Sequence, residues 1–160
     1  MATLTSLLLP AHGSSQRGRS PYMIQKTIDL TAQAIDCSSG DIVQCLTLPA
    51  NTRILHAGVQ VVLSATQNTG TDATVTLGTA VDANEWVAAF DIDGAADGAY
   101  APSATPAGDI VLATADTLDL TFAGSGATFT AGTLRVYAVL MDISDQGDAG
   151  PTEVDRDALA

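Results

Sequence analysis

The chain has 160 residues, enough for one domain that buries roughly 68–70% of its unfolded surface, so folding needs no staple of disulfides or metal. Hydrophobic residues make up 46%, mostly Ala and Val, with three Phe, three Tyr and one Trp; a core of small and β-branched side chains favours pleated strands over long helices. The formal charge of −12 repels nucleic-acid phosphates and anionic membranes, which excludes both as main partners.

The charge is uneven. Residues 1–60 carry four cations against three acids, and residues 61–160 carry two against fifteen. The first twenty residues hold Pro10, Gly13, Ser14, Ser15, Gly18 and Ser20 and show no apolar periodicity. They predict an extended N-terminal arm, residues 1–20, able to reach on the order of 65 Å. Its apolar run, Leu7, Leu8 and Leu9, and its basic pair, Arg17 and Arg19, are the residues expected to dock on a partner. The run is too short, and its positive charge comes too late, for a signal peptide. No later segment reaches the roughly 18 consecutive apolar residues of a membrane helix, so synthesis and first residence in the cytoplasm are expected.

Strand signals fill residues 21–143. Ile28 and Leu30 alternate with polar residues, and Ile42 to Leu48 runs into the turn Pro49–Ala50–Asn51. From Thr52 the pattern predicts one face of Leu55, Ala57, Val59, Val61, Leu63 and Ala65, with His56, Gly58, Gln60 and Ser64 opposite, the period of a half-buried strand. Val75 and Leu77, Trp86 to Ile92, Ile110 to Leu112, and Leu118, Leu120 and Phe122 supply further strands. Cys37 and Cys45 flank a seven-residue segment that permits a disulfide. Two cysteines without a secretory signal point instead to reduced thiols acting as small hydrophobes. His12 lies in the arm, and His56 reads as a hydrogen-bonded structural imidazole.

Residues 91–100, DIDGAADGAY, resemble a calcium loop. Counting from Asp91, position 5 is Ala95, position 6 is Ala96 and position 12 is Pro102, so the middle ligand, the glycine and the bidentate acid are all missing. The stretch predicts a surface turn whose aspartates bond their own backbone, and no cofactor is expected. Asp82, Glu85, Asp91 and Asp93 are the acids from which a glycosidase pair would have to come. Neither GSSQRG nor AGSGAT forms the nucleophile elbow of a serine hydrolase, and no phosphate-binding glycine loop is present. The protein is expected not to be an enzyme.

The last strand is apolar on both faces. Leu134, Val136, Ala138 and Leu140 face one way, and Tyr137, Val139, Met141 and Ile143 the other. One row fills a core and the other predicts a contact with another sheet or subunit. Residues 144–160 are polar and acidic and predict a C-terminal tail. Eight short strands at intervals near ten residues predict an all-β protein, a β-sandwich of jelly-roll type over 21–143.

Two stretches, ATVTLGTAVDANEWVAAFDIDGAADGAYAP and DTLDLTFAGSGATFTAGTLRVYAVLMDIS, together resemble the second half of a family of small head proteins of tailed bacteriophages, the capsid cement or decoration proteins. The resemblance lies in the order of features and not in a set of site residues, and it leaves out the first sixty residues. It implies a β-sandwich or jelly-roll body in the virion, on the capsid exterior. Such a protein is often a homo-trimer at three-fold positions, clasping neighbouring copies of the major capsid protein, after synthesis in the host bacterial cytoplasm. Two other functions remain open from the residues. One is a carbohydrate- or receptor-binding module, which predicts an exposed patch of Trp86 and Tyr100 beside acids. The other is a minor tail or head-fibre structural protein.

Overall fold

A computed structural model describes residues 21–32, 35–37, 40–70, 72–101, 110–125 and 128–143. The arm of residues 1–20 and the tail of 144–160 lie outside the described residues. Eight strands follow in chain order: β1 Tyr22–Asp29, β2 Ile42–Leu48, β3 Thr52–Gln67, β4 Thr74–Gly78, β5 Val87–Asp91, β6 Ile110–Leu112, β7 Asp116–Ala123 and β8 Phe129–Asp142. They form two four-stranded antiparallel sheets, β1-β8-β3-β6 (sheet A) and β2-β7-β4-β5 (sheet B). The chain is an all-β sandwich.

The core lies between the sheets, as period-two alternation dictates. Leu134, Val136, Ala138 and Leu140 of β8 are fully buried against Leu118, Leu120 and Phe122 of β7 and Val75 and Leu77 of β4. The few aromatics fill the largest gaps: Phe122 and Phe129 meet edge-on across the sandwich with ring centroids 5.9 Å apart, a geometry the ring quadrupoles favour. Cys37 and Cys45 are both buried and free. Burial raises both thiols, that of Cys45 to about 11, so neither is a ready thiolate.

The long strand β3 departs from simple alternation. Its register against β8 shifts between Ile54 and His56, again between Val61 and Leu63, and once more between Leu63 and Thr66, which returns Ala65 to the core. Each irregularity turns the following residues over. Leu55 and Leu63, expected inside, are therefore exposed, and Ile54 takes the buried position, while Ala57, Val59, Val61 and Ala65 lie in the core as predicted.

Beyond β6, the other edge of β3 is covered by the Gly/Asp-rich segment that follows β5. The Gly98 and Ala101 amides donate to the Val61 and Val59 carbonyls at 2.7 and 2.9 Å, the Val61 amide to the Ala99 carbonyl at 2.8 Å, and the Ala65 amide to the Ile92 carbonyl at 3.0 Å. The segment leaves sheet B and closes sheet A. At the far edge, β1 pairs with β8 in one unbroken register from Tyr22 opposite Leu140 to Asp29 opposite Thr133.

Candidate assembly surface

The outer face of sheet A is built from residues pointing away from the core on β1, β8, β3 and β6. Cross-strand register places them in rows: Val111, Arg53 and Met141; His56, Val139 and Met23; Gly58, Tyr137 and Gln25; Gln60, Arg135 and Thr27. Val139, Met141 and Tyr137 are half-buried by their neighbours, and Ile143 continues the row just past β8. Met23 is 60% exposed and Val111 is exposed. The four residues expected to meet a subunit, Tyr137, Val139, Met141 and Ile143, thus lie along one side of the molecule.

A polar and aromatic cluster borders this apolar centre. The Tyr137 ring lies across Gly58, where a Cβ would come within 2.6 Å of its hydroxyl oxygen; any larger residue there would push the ring aside. The hydroxyl is 3.2 Å from His56 Nε2, so His56 is the hydrogen-bonded imidazole its strand position predicts. Tyr100, brought in by the segment that closes sheet A, meets Tyr137 edge-on at 6.2 Å. Burial raises the Tyr137 phenol above its ordinary value. Arg135 donates from Nη1 to Gln60 Oε1 at 3.1 Å, which fixes the side chain along the sheet. Tyr and Arg around an apolar centre is the composition of protein-interface hot spots.

The other candidate chemistry comes apart. Asp91 Oδ1 accepts the Gly94 amide at 2.8 Å, Asp97 Oδ1 accepts the Ser64 amide at 2.7 Å, and the Asp93 carbonyl accepts the Ser64 hydroxyl at 3.2 Å. The Asp91 and Asp97 carboxylates cap backbone, as the turn composition predicts, whereas Asp93 takes part through its main-chain carbonyl. The Gly94 amide lowers the Asp91 carboxyl, whereas burial and the neighbouring Asp91 raise Asp93. No group of three or more His, Cys, Asp or Glu suited to a metal occurs among the described residues. Asp82 and Glu85 precede β5 and Asp91 and Asp93 end or follow it, so a whole strand parts the two acid pairs. Trp86 is 1% exposed and forms part of the core, whereas Tyr100 is 59% exposed. The expected Trp86–Tyr100 patch therefore does not exist: the indole turns inward because the Trp86 amide bonds the Leu77 carbonyl at 2.9 Å at the mouth of the β4–β5 hairpin. Ser125 bonds Asp72 through its amide and its hydroxyl, an ordinary turn anchor.

The fold is shared with phage capsid chains. A chain in the cyanophage Pam1 capsid asymmetric unit is 20% identical, with a TM-score of 0.59 over 88% of this chain and 97% of that one. A chain in the capsid of Ralstonia phage GP4 is 21% identical, with a TM-score of 0.59 over 86% and 90% of the two chains. A chain in the acidic stable capsid of Helicobacter pylori bacteriophage KHP30 is 13% identical, with a TM-score of 0.57 over 79% and 91%. No family model matches the sequence, and no curated protein matches it.

Sequence pattern alone missed Met23, Val111 and Arg53 on the same surface. Arg53 was legible in part, since it stands between Thr52 and Ile54 and must point opposite to both. Met23 and Val111 join the patch only through pairing with residues far away in sequence.

Proposed function

We propose that this chain is a structural protein of a bacteriophage virion that binds the outer surface of the icosahedral capsid and stabilises contacts between major capsid subunits. The observation that carries this is the fold likeness to chains of three phage capsids, which takes in nine-tenths or more of each of those chains. The strand order β1-β8-β3-β6 over β2-β7-β4-β5 supports a jelly-roll winding. The outer face of sheet A supports a homo-trimer in which Tyr137, Val139, Met141 and Ile143 meet a neighbouring copy. Residues 1–20 act as the clasp, with Leu7, Leu8 and Leu9 filling an apolar groove of the major capsid protein and Arg17 and Arg19 facing its acids.

The mechanism is mass action. A molecule that binds the assembled shell, and not its separated subunits, stabilises the shell by its binding free energy, and three linked copies multiply weak contacts through effective concentration. No catalysis is part of this role.

The test is copy number in purified particles, measured by quantitative mass spectrometry against the major capsid protein. Near-stoichiometric amounts are expected; a few copies per particle would make the chain a tail or head-fibre part, and none would remove it from the virion. A carbohydrate- or receptor-binding role draws on one observation, Tyr100 exposed beside Tyr137. Burial of Trp86 takes away the larger half of the platform that role requires. Saturable binding to host-surface glycans, lost in Tyr100→Ala, would favour it.

A further inference from the structure

A trimer cannot be closed by a face meeting its own copy. Every pairwise contact around a three-fold axis is heterologous, so the outer face of sheet A needs a different surface on the next protomer. The β4–β5 loop, residues 79–86, has the required properties. Val81 at its tip is 92% exposed, the highest value among the large hydrophobic side chains of the described residues.

The loop is pre-shaped. The Thr79 amide donates to the Asp82 carbonyl at 2.9 Å and the Asn84 amide to Asp82 Oδ1 at 3.1 Å. A Cβ on Gly78 would lie 1.9 Å from the Asp82 carbonyl oxygen, so the loop folds back on a backbone only glycine permits. Buried Trp86 anchors its far side. A tip already held in one shape loses little conformational freedom on binding.

Charge fits as well. The loop carries Asp82 and Glu85 and no cation. The four rows on sheet A carry Arg53 and Arg135, and the carboxylate of this face, Asp29, stands in the row beyond Arg135, at the far end from Arg53. The two surfaces also sit at the same end of the sandwich. Gly78 lies opposite Asp119, close to where Asp116 pairs with Leu48, and Leu48 leads through the 49–51 turn to Thr52, beside the row of Val111, Arg53 and Met141.

We infer, resting on the trimer proposed above, that loop 79–86 of one copy packs on the outer face of sheet A of the next. Val81 sits among Val139, Met141 and Met23, and Asp82 faces Arg53. The outward row of β8 and the tip of the hairpin are then the two halves of one repeated contact that closes after three copies.

Cysteine pairing tests it directly, since Cys37 and Cys45 are buried and new surface thiols react alone. Under mild copper–phenanthroline oxidation, the double variant Val81→Cys/Val139→Cys is expected to give covalent trimers on a non-reducing gel. Val81→Cys alone and Val139→Cys alone are expected to stay unlinked. Linking by Val139→Cys alone would show the face meeting itself and overturn the proposal. So would an unlinked double variant that sediments as a trimer, or a wild-type protein monomeric at micromolar concentration. As a second measure, Val81→Asp should keep the wild-type melting temperature yet weaken trimerisation at least tenfold; unchanged association would also overturn it. Copy number in particles tests the virion role separately, so a protein abundant in particles but unlinked loses only this contact.

Discussion

The two sheets of this sandwich are alike inside and unlike outside. Facing the core, both present Leu, Val, Ile and Phe in period two. Facing outward, sheet B sets Thr47 opposite Thr117, Thr121 between Thr76 and Ile42, and Gln44 opposite Asp119, a face of short polar side chains that suits β structure and water together, interrupted by the exposed Ile42 near one end. Sheet A sets Met23, Val139 and Met141 beside His56, Tyr137, Arg53 and Arg135. Folding demands only the inner rows, so the outer rows are free to differ, and on the trimer proposed above they record solvent at sheet B and another copy at sheet A.

The inner rows set the largest effects, and these should be similar in the two sheets. Phe122→Ala in sheet B is expected to cost about 3–5 kcal/mol and Leu140→Ala in sheet A about 2–5 kcal/mol, read from urea unfolding. A cost for Leu140→Ala far below that range would mean that sheet A depends on its partner more than on its own core. The outer rows should then separate the sheets. Val139→Asp is expected to weaken self-association at least 100-fold, about 2.7 kcal/mol, because a lone carboxylate cannot be buried cheaply. Thr47→Asp, at an exposed position opposite Thr117, should change it less than about threefold, since a charge placed among solvated polar groups stays hydrated. Analytical ultracentrifugation measures both, and equal effects would erase the distinction between the faces.

The arm extends the comparison beyond the sandwich. Deleting residues 1–20 should leave the domain folded and loosen its hold on undecorated capsids. Within it, Leu8→Ala should cost about 1.5–3 kcal/mol of binding, and Arg17→Ala only about 0–1 kcal/mol at physiological salt. Unchanged occupancy after deletion would move the clasp onto the sandwich itself.

Smaller effects concern the acids on the sheet B side. Burial raises the Glu85 carboxyl above its ordinary value. The folded state therefore binds that proton more tightly than the unfolded state does, and the ionised form costs stability at neutral pH. Glu85→Gln should raise the melting temperature slightly at pH 7, the effect being small because solvent screens this partly exposed carboxyl. The gain should shrink as pH falls through the raised value towards the ordinary glutamate value near 4.3, where the wild type is itself protonated. A gain that persists at low pH would point to packing instead. Smallest of all, chelation should leave the melting temperature within about 2 °C, well under 1 kcal/mol for a chain of this size. A larger, calcium-reversed drop would mean that Asp91 and Asp93 hold an ion after all.

Much of the fold was legible because alternation is a local signal. The inward rows of β7 and β8, the turn after Leu48 and the backbone-capping aspartates all follow from neighbours in sequence. What escaped is non-local. Leu55 and Leu63 face solvent because β3 must shift register against β8, and Trp86 turns inward because its amide finds Leu77 across the hairpin. Tyr22 and Met23 join β1 through their pairing with Leu140 and Val139, which no window around them reveals. The candidate assembly surface divides in the same way: β8 showed its row through a second apolar face, while Arg53, Val111 and Met23 depended on register.

The unbroken pairing of β1 with β8 also decides how the molecule bears load. A pull on Pro21 along the axis of β1, with the sandwich held in place, stresses the ladder from Tyr22–Leu140 to Asp29–Thr133 in shear. The hydrogen bonds then share the force, and β1 must slip as a whole. A pull at right angles opens the same ladder from its Tyr22 end, one pair after another, and needs far less force. A tether drawn along the strand makes a strong rope; the same tether peeled sideways is a zip.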